Sequence, residues 1–321
     1  MNTIRIAVHG GPEVLQLTDL PVPTPKPGET LVRVTTAGLN FMDLYQRSGV
    51  MPMALPFTAG IEGLGVVEQS DGALAPGMRV MWPSHPGAFA EFACVPTWKL
   101  IPVPAGLDDQ TAVAACLQGL TVQFLTESTY VVKRDDDVLV HAGAGGVGQL
   151  LIQVLKHKGA RVFTTVSTEA KAALARAAGA DVVIRYTDED FVAVVREHTR
   201  GRGVQVAYDS VGLTTHAGSL SLVRPLGTLV LFGQSSGVVP PIDPLLLMRQ
   251  GSIFLTRPTL IHHIADAPAV QARSARLLEW LQTGVLRPSI GGVYPLAEVA
   301  RAHLDLASRR TTGKLLIKIR D

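Results

Sequence analysis

A strand, a glycine-rich turn and a helix follow one another without a break between Val138 and Lys156, and no other segment constrains the fold as strongly. The apolar run Val138-Leu139-Val140-His141-Ala142 leads into Gly143-Ala144-Gly145-Gly146-Val147-Gly148, which fits G-x-G-x-x-G. An apolar-periodic stretch through Gln149-Leu150-Leu151-Ile152-Gln153-Val154-Leu155-Lys156 follows at once. This is the order a dinucleotide site needs. Gly143 is expected to allow the tight turn, Gly145 to let backbone approach a pyrophosphate, and Gly148 to let the helix pack closely on the strand. The N–H groups at the helix start, around Gly145, Gly146 and Val147, would then face the anionic phosphates.

From about residue 120 the pattern is a regular β/α alternation. Strands are expected at Val138–His141, Arg161–Val166, Asp181–Ile184, Val204–Asp209 and Thr228–Phe232. Helices are expected over 146–158, 169–178, from near Asp188, and near 214–224. Such repetition gives a parallel sheet covered on both faces. Before residue 100 the chain reads as short strands (Ile4–Val8, Thr30–Thr35, Gly65–Glu68, Arg79–Met81, Ala88–Val95) cut by Pro- and Gly-rich turns, which suits a compact barrel. The tail leaves the alternation, with a helix over 268–282 whose apolar stripe is Val270, Ala275, Leu277, Leu278 and Leu281, another over 296–306, and a last strand at Lys314–Ile319. The plan is a nucleotide domain, residues 120–256, inserted between two parts of a second domain, residues 1–119 and 257–321.

With 321 residues, 47% of them hydrophobic, the chain can build a large core. A net charge of +2, with Lys and Arg scattered, speaks against nucleic acid as a partner. No apolar stretch reaches the ~18 residues of a membrane span, and the start alternates like a strand without a signal-peptide core. Cys94 and Cys116 are far apart and outside any C-x-x-C, so two reduced thiols in a cytoplasmic protein are expected.

In a site for NAD an acidic residue ends the second strand and holds the ribose diol. Here Arg161–Val166 runs into Ser167-Thr168, with Lys171 just beyond. A hydroxyl and a cation suit a 2′-phosphate, whereas a carboxylate repels it. Glu169 is explained by the dipole of a helix capped by Thr168. The residues therefore favour NADPH over NADH.

His9-Gly10-Gly11-Pro12-Glu13-Val14-Leu15, Asn40-Phe41-Met42-Asp43-Leu44-Tyr45-Gln46-Arg47-Ser48-Gly49, Gln118-Gly119-Leu120-Thr121, the His141–Gly148 turn, Tyr208-Asp209-Ser210-Val211-Gly212, Phe232-Gly233-Gln234-Ser235-Ser236-Gly237 and Thr256-Arg257-Pro258 occur in one order along nearly the whole chain. In this the chain resembles the zinc-free quinone oxidoreductases, the zeta-crystallin-like branch of the medium-chain dehydrogenase/reductase superfamily. The resemblance implies an α/β fold, a Rossmann doubly wound parallel sheet inserted into a GroES-like β-barrel catalytic domain, and a homodimer. It implies that Lys171, Tyr186 and Ser167 hold the adenosine phosphate and that Arg309 reaches the cofactor. It further implies that Asn40, Thr121, Phe232, Ser235, Leu255 and Arg257 flank the nicotinamide end, with Ser210 on the family's Tyr208–Gly212 motif. Zinc-dependent relatives carry a Cys where this chain reads Ala37-Gly38-Leu39-Asn40 and G-H-E where it reads Gly60-Ile61-Glu62. Two of three zinc ligands are therefore missing, no metal is expected, and Glu62 reads as a structural carboxylate.

Reduction of a quinone or enone places negative charge on a conjugated oxygen that one hydrogen-bond donor can stabilise. Tyr45 and Asn40 are the candidate catalytic donors. Asp43 and Arg47, at i and i+4, read as a helix ion pair. His85 is read as a surface-loop histidine, His141 as a packing or capping residue, and His262-His263 as unsuited to metal ligation. Met51 and Met53 are placed against an apolar cleft. The expected function is NADPH-dependent quinone reduction. The alternatives are an NADPH-dependent enoyl or alkenal reductase, and a nucleotide-dependent binding or structural protein.

Overall fold

A computed structural model describes residues 1–72 and 74–320. Contacts gather into two compact units, Met1–Leu120 with Ile264–Glu279 and Arg287–Asp321, and Thr121–His263 with Trp280–Leu286.

The first unit opens with strands β1 (Asn2–Ile6), β2 (Gln16–Asp19) and β3 (Glu29–Leu39), then helix α1 (Phe41–Ser48). Strands β4 (Phe57–Thr58), β5 (Gly63–Gln69), β6 (Arg79–Trp82), β7 (Phe92–Pro96) and β8 (Ile101–Pro102) follow, and helix α2 (Asp109–Phe124) leads out. The expected strands are present, though shifted at their ends. Helix α2 was not legible, because an apolar stretch with little polar contrast carries no clear helical period. In β3, Val32 and Val34 are fully buried while the intervening Arg33 reaches Glu68 at 3.3 Å, the alternation of a half-buried strand. Ile4, Ile6, Val67, Val80, Trp82 and Phe89 complete this core.

The second unit runs β9 (Asp137–His141), α3 (Gly146–His157), β10 (Arg161–Val166), α4 (Glu169–Ala177), β11 (Val182–Arg185), α5 (Phe191–His198), β12 (Val204–Asp209), α6 (His216–Leu222), β13 (Val223–Leu231), α7 (Pro244–Arg249) and β14 (Phe254–Thr256). Its six strands stand in the order β11-β10-β9-β12-β13-β14, every pair parallel. The chain winds outward one way from β9 and the other way from β12, so a topological switch point lies between them. Leu139, Phe163, Ile184, Ala207 and Leu229 form the buried core. The short α7, of six residues, and β14, of three, have too few positions to carry a readable period.

After helices α8 (Leu260–His263) and α9 (Ala267–Gln282), strand β15 (Ile290–Pro295), helix α10 (Val299–Ala307) and strand β16 (Lys314–Lys318) close the chain. The stripe expected on α9 needs correction. Its buried positions are Val270, Ser274, Leu277 and Trp280, and Ala275 is exposed. Ser274 is tolerated there because its hydroxyl donates to Gln271 O at 3.1 Å. Strand β3 pairs with β7 through Glu29–Arg33 and with β16 through Thr36–Leu39, while β5 occupies its other edge. That shared position brings residues from both ends of the chain onto one strand. Among the described residues no helix is long and apolar enough to cross a membrane.

Phe163, fully buried in the parallel sheet, and Leu304, 56% exposed on α10, give contrasting truncations. Phe163→Ala is expected to cost about 3–5 kcal/mol and Leu304→Ala close to nothing. Urea unfolding followed by circular dichroism reads the difference.

Candidate active site

The glycine turn lies at the C-terminal end of β9. Its left-handed residue is Ala142 (φ 57°), which corrects the role expected for Gly143. Gly145 N donates back to Ala142 O at 2.9 Å, closing the turn. Gly143 is needed for another reason: a Cβ there would stand 3.0 Å from Thr164 Cβ on the neighbouring strand. The close approach expected of Gly148 is present, since a Cβ on it would lie 2.9 Å from Gly143 Cα and collide with Ala142 O. Gly145 is the N-cap of α3, with extended backbone (φ −73°, ψ 167°) and no capping side chain. The N–H groups of Gly146 and Val147 thus open a helix whose first turn has no intrahelical acceptors. This cradle fits an anionic phosphate ester.

Beneath the turn runs a buried polar chain. His141 Nδ1 lies 2.8 Å from Thr165 Oγ1 and its Nε2 2.9 Å from Ser219 Oγ. Ser219 Oγ donates to Asp209 Oδ2 at 2.7 Å. Since that hydroxyl gives its proton to the carboxylate, it accepts from Nε2–H, and Nδ1 accepts from Thr165. Burial holds the imidazole below its ordinary pKa, so the ring is neutral at pH 7. Asp209 Oδ1 meanwhile accepts from Val211 N at 2.8 Å, Gly212 N at 2.9 Å and Thr215 Oγ1 at 2.8 Å. One carboxylate therefore ties the loop after β12 to strand β9, which gives His141 more than a packing role.

Seven other expected cofactor residues of this unit stand at strand ends on the same edge. Ser167 follows β10, Tyr186 follows β11, Ser210 follows β12, Phe232 and Ser235 follow β13, and Leu255 and Arg257 close β14. The loops are joined: Phe232 N donates to Asp209 O at 2.9 Å and Ser235 N to Ser210 O at 3.2 Å. Thr187 Oγ1 donates to Ser167 O at 3.2 Å, bringing the ends of β10 and β11 together. Lys171 lies in the first turn of α4, whose N-cap Thr168 accepts from its backbone N–H at 3.3 Å. Glu169 turns to Arg176 at 2.6 Å and Arg185 at 3.8 Å. The hydrogen bond to Arg176 pulls its carboxyl below the usual pKa. That carboxylate is engaged with two guanidinium groups. Tyr186 is 53% exposed. Thr121 is buried on α2, and His263 stacks on Phe124 with ring centroids 4.3 Å apart.

In the first unit Asn40 sits between β3 and α1, its Nδ2 donating to Glu62 Oε2 at 2.9 Å and to Gly38 O at 3.2 Å. Lys314, the first residue of β16, donates to Asn40 Oδ1 at 2.7 Å and also bonds Glu62. Glu62 takes a further bond from Leu117 N at 2.6 Å. The structural role expected for Glu62 is therefore filled by an ammonium and two N–H donors. Lys314 went unnoticed in the sequence; a lysine opening the apolar strand Lys314-Leu315-Leu316-Ile317 was the available signal.

The Asp43–Arg47 ion pair is not formed, which corrects that expectation. Asp43 Oδ2 accepts Asn40 N at 2.8 Å, and Arg47 Nη1 lies 3.4 Å from His303 Nδ1. Both side chains face inward from α1 and are buried, so surface i, i+4 pairing does not apply. Burial above all raises the Asp43 carboxyl to about 7, against the opposing bond from Asn40 N and the charge of Lys314. Tyr45, half-buried on the same helix, lies beside Phe41 with centroids 6.3 Å apart. Arg309 is exposed just after α10. His85 is not a free loop histidine: its Nε2 meets Cys94 O at 3.1 Å, and burial lowers its pKa. Met53 packs against the barrel core. Cys94 and Cys116 are free thiols, the second fully buried. Among the described residues no group of three or more His, Cys, Asp and Glu side chains is placed to hold a metal.

Family models match two stretches, the alcohol dehydrogenase GroES-like domain over residues 26–105 and the zinc-binding dehydrogenase over residues 146–281. The quinone oxidoreductase of Pseudomonas aeruginosa is 40% identical over 98% of this chain and 98% of its own. A 2-haloacrylate reductase of a Burkholderia species is 38% identical over 96% of each. The crystal structure of Escherichia coli quinone oxidoreductase complexed with NADPH superposes with a TM-score of 0.96 at 36% identity, covering 99% of this chain and 100% of that one. Sheet order, strand-end turn and these likenesses define an oxidoreductase of the medium-chain dehydrogenase/reductase superfamily. Within it, the chain belongs to the zinc-free, zeta-crystallin-like quinone oxidoreductase family.

The buried acid makes stability depend on pH. Between about pH 4 and 7 the unfolded chain releases the Asp43 proton while the folded chain keeps it, so stability falls as pH rises through that window. Asp43→Asn, which can still accept from Asn40 N, is expected to raise Tm more at pH 8 than at pH 5; a pH-independent difference contradicts the assignment. Ser219→Ala leaves a buried imidazole N–H and a carboxylate oxygen without their partner, and is expected to cost about 1–3 kcal/mol, measured by thermal unfolding.

Proposed function

We propose that this oxidoreductase is an NADPH-dependent, zinc-independent quinone reductase. The observation that carries the reading is the nucleotide-facing edge of the parallel sheet. A capless helix start provides for the pyrophosphate, and after β10 Lys171 stands in the first turn of α4, where the carboxylate of Glu169 is bound to Arg176 and Arg185. A hydroxyl-and-cation environment favours a 2′-phosphate. The cofactor is NADPH, held by Gly145, Gly146, Val147, Ser167, Lys171, Tyr186, Ser210 and Arg309 along the nucleotide, with Asn40, Thr121, Phe232, Ser235, Leu255 and Arg257 at the nicotinamide end. In this reading residues 120–256 serve the cofactor, and residues 1–119 with 257–321 serve the acceptor.

When bound, NADPH supplies a hydride from C4 of its nicotinamide. The protein's task is orientation and charge. Tyr45 O–H donates to the acceptor oxygen as it gains negative charge, and Asn40 orients the nicotinamide end. Solvent delivers the last proton, so no side chain need act as general acid. A conjugated C=C bond is the second acceptor class, favoured by the full-length likeness to a 2-haloacrylate reductase. The reading carries with it a cytoplasmic homodimer. Strand β14 is the sheet's edge, and Phe254 (62%), Met248 (60%) and Val238 (64%) are exposed near it in sequence, which suits edge pairing with a second copy.

Initial rates of NADPH oxidation against a quinone panel and an enone panel test the proposal. Quinones are expected to be the better acceptors, and Tyr45→Phe to lower kcat/KM by about a hundredfold. Turnover of enones alone would move the assignment to the conjugated C=C class. Lys171→Ala is expected to weaken NADPH binding about ten- to hundredfold and leave NADH unchanged; equal losses for both nucleotides would remove Lys171 from the 2′-phosphate site.

A further inference from the structure

We propose that Lys314 is a positioning residue for the reaction: it fixes the Asn40 amide so that Asn40 can only accept a hydrogen bond, from a ribose hydroxyl or the carboxamide N–H of the nicotinamide nucleotide. The inference rests on the reading above, in which Asn40 lies at the nicotinamide end. It assigns Asn40 to the cofactor and leaves Tyr45 as the donor to the acceptor molecule.

Hydrogen-bond counting carries the point. The amide nitrogen of Asn40 has two hydrogens, and Gly38 O at 3.2 Å and Glu62 Oε2 at 2.9 Å take both. Its oxygen has two lone pairs, of which Lys314 Nζ occupies one at 2.7 Å. An ammonium only donates, whereas a carbonyl and a carboxylate only accept. Turning the amide over would set its N–H groups against the ammonium and its oxygen against two oxygens. Three neighbours thus agree on one orientation. In the capping-box arrangement at the start of α1 the Asp43 N–H donates to the Asn40 backbone O at 3.1 Å and forms no bond to the side chain, so one acceptor lone pair of the amide remains. A quinone or enone oxygen, itself an acceptor, finds no partner there.

The surroundings are built for this arrangement. Glu62 is fully buried and Lys314 is 1% exposed. A buried ion pair is in general no more stabilising than apolar residues of similar volume, so its use here is better sought in orientation. Gly38 makes room for it, since a Cβ at that position would lie 2.7 Å from Lys314 Cε and inside the Glu62 carboxylate. Leu117 N holds the other Glu62 oxygen at 2.6 Å, which fixes the carboxylate from α2.

The test compares Asn40→Ala with the double variant Lys314→Met/Glu62→Gln, which removes both charges together and releases the Asn40 amide from the two side chains that orient it. NADPH affinity is read by titrating the fluorescence of the bound nucleotide, and KM for the quinone and kcat are measured beside it. Both variants are expected to bind NADPH about three- to tenfold more weakly, with the quinone KM within about twofold of the parent's. 3-Acetylpyridine adenine dinucleotide phosphate, which lacks the carboxamide N–H, separates the two donors: binding to the parent protein that is insensitive to Asn40→Ala assigns the carboxamide, and an undiminished sensitivity assigns the ribose. A double variant that loses Tm but keeps NADPH affinity and kcat would reduce Lys314 to a structural part. Should the double variant not fold, Asn40→Ala decides alone, and unchanged NADPH affinity overturns the proposal. Losses confined to quinone KM and kcat overturn it as well. Failure of the parent protein to bind NADPH at all would instead strike the reading on which the inference rests.

Discussion

How closely helix α3 approaches strand β9 governs the nucleotide unit. The approach is possible only because Gly148 carries no side chain, and it sets the first N–H groups of α3 beyond the end of the strand. Everything else at that edge follows from holding the turn still. Ala142 absorbs the left-handed conformation, and Thr164 packs against Gly143 while donating to Val140 O at 2.7 Å. The His141–Ser219–Asp209 chain then ties the next loop across the switch point to the same strand. A neutral imidazole serves here because it donates on one side and accepts on the other, which neither a cation nor an apolar ring can do.

The barrel unit solves a different problem with similar means. Strand β3 pairs with β5 along one edge and with β7 and the C-terminal strand β16 along the other, so residues far apart in the chain meet in its interior. Asn40 and Lys314 are 274 positions apart, and Glu62 links them. In zinc-dependent members of the superfamily this neighbourhood supplies metal ligands. In this chain its buried charges are instead matched among themselves, with the neighbouring Asp43 carboxyl raised to about 7 by burial. Polar satisfaction thereby takes over the task of holding Asn40 and the start of α1 in place.

Much of this was legible in the residues. The alternation from 137 to 231 predicts the parallel sheet, because strands buried on both faces are continuous apolar runs and the helices between them are amphipathic. Arg161–Val166 and Val204–Asp209 were placed to the residue. Helix α2 was hidden, since a helix apolar on every side has no period to read. Local rules also failed where long-range contacts decide. The spacing of Asp43 and Arg47 suggested a surface ion pair, but α1 turns both inward, where Asn40 N and His303 claim them. Ala142 takes the left-handed conformation that the glycine pattern suggests for Gly143, and Gly143 is required instead by the close packing of Thr164. Lys314 could not be paired with Glu62 from spacing alone, as only the topology of β3, β5 and β16 brings them together.

On this reading the strand-end edge of the parallel sheet selects a nucleotide with a 2′-phosphate and presents it for reduction of a conjugated acceptor. Calorimetric titration of the unaltered protein with NADPH and, separately, with NADH at two salt concentrations tests it most directly. NADPH is expected to bind at least about tenfold more tightly, with the difference narrowing as salt screens the phosphate. Equal affinities at low salt, or tighter binding of NADH, would contradict it.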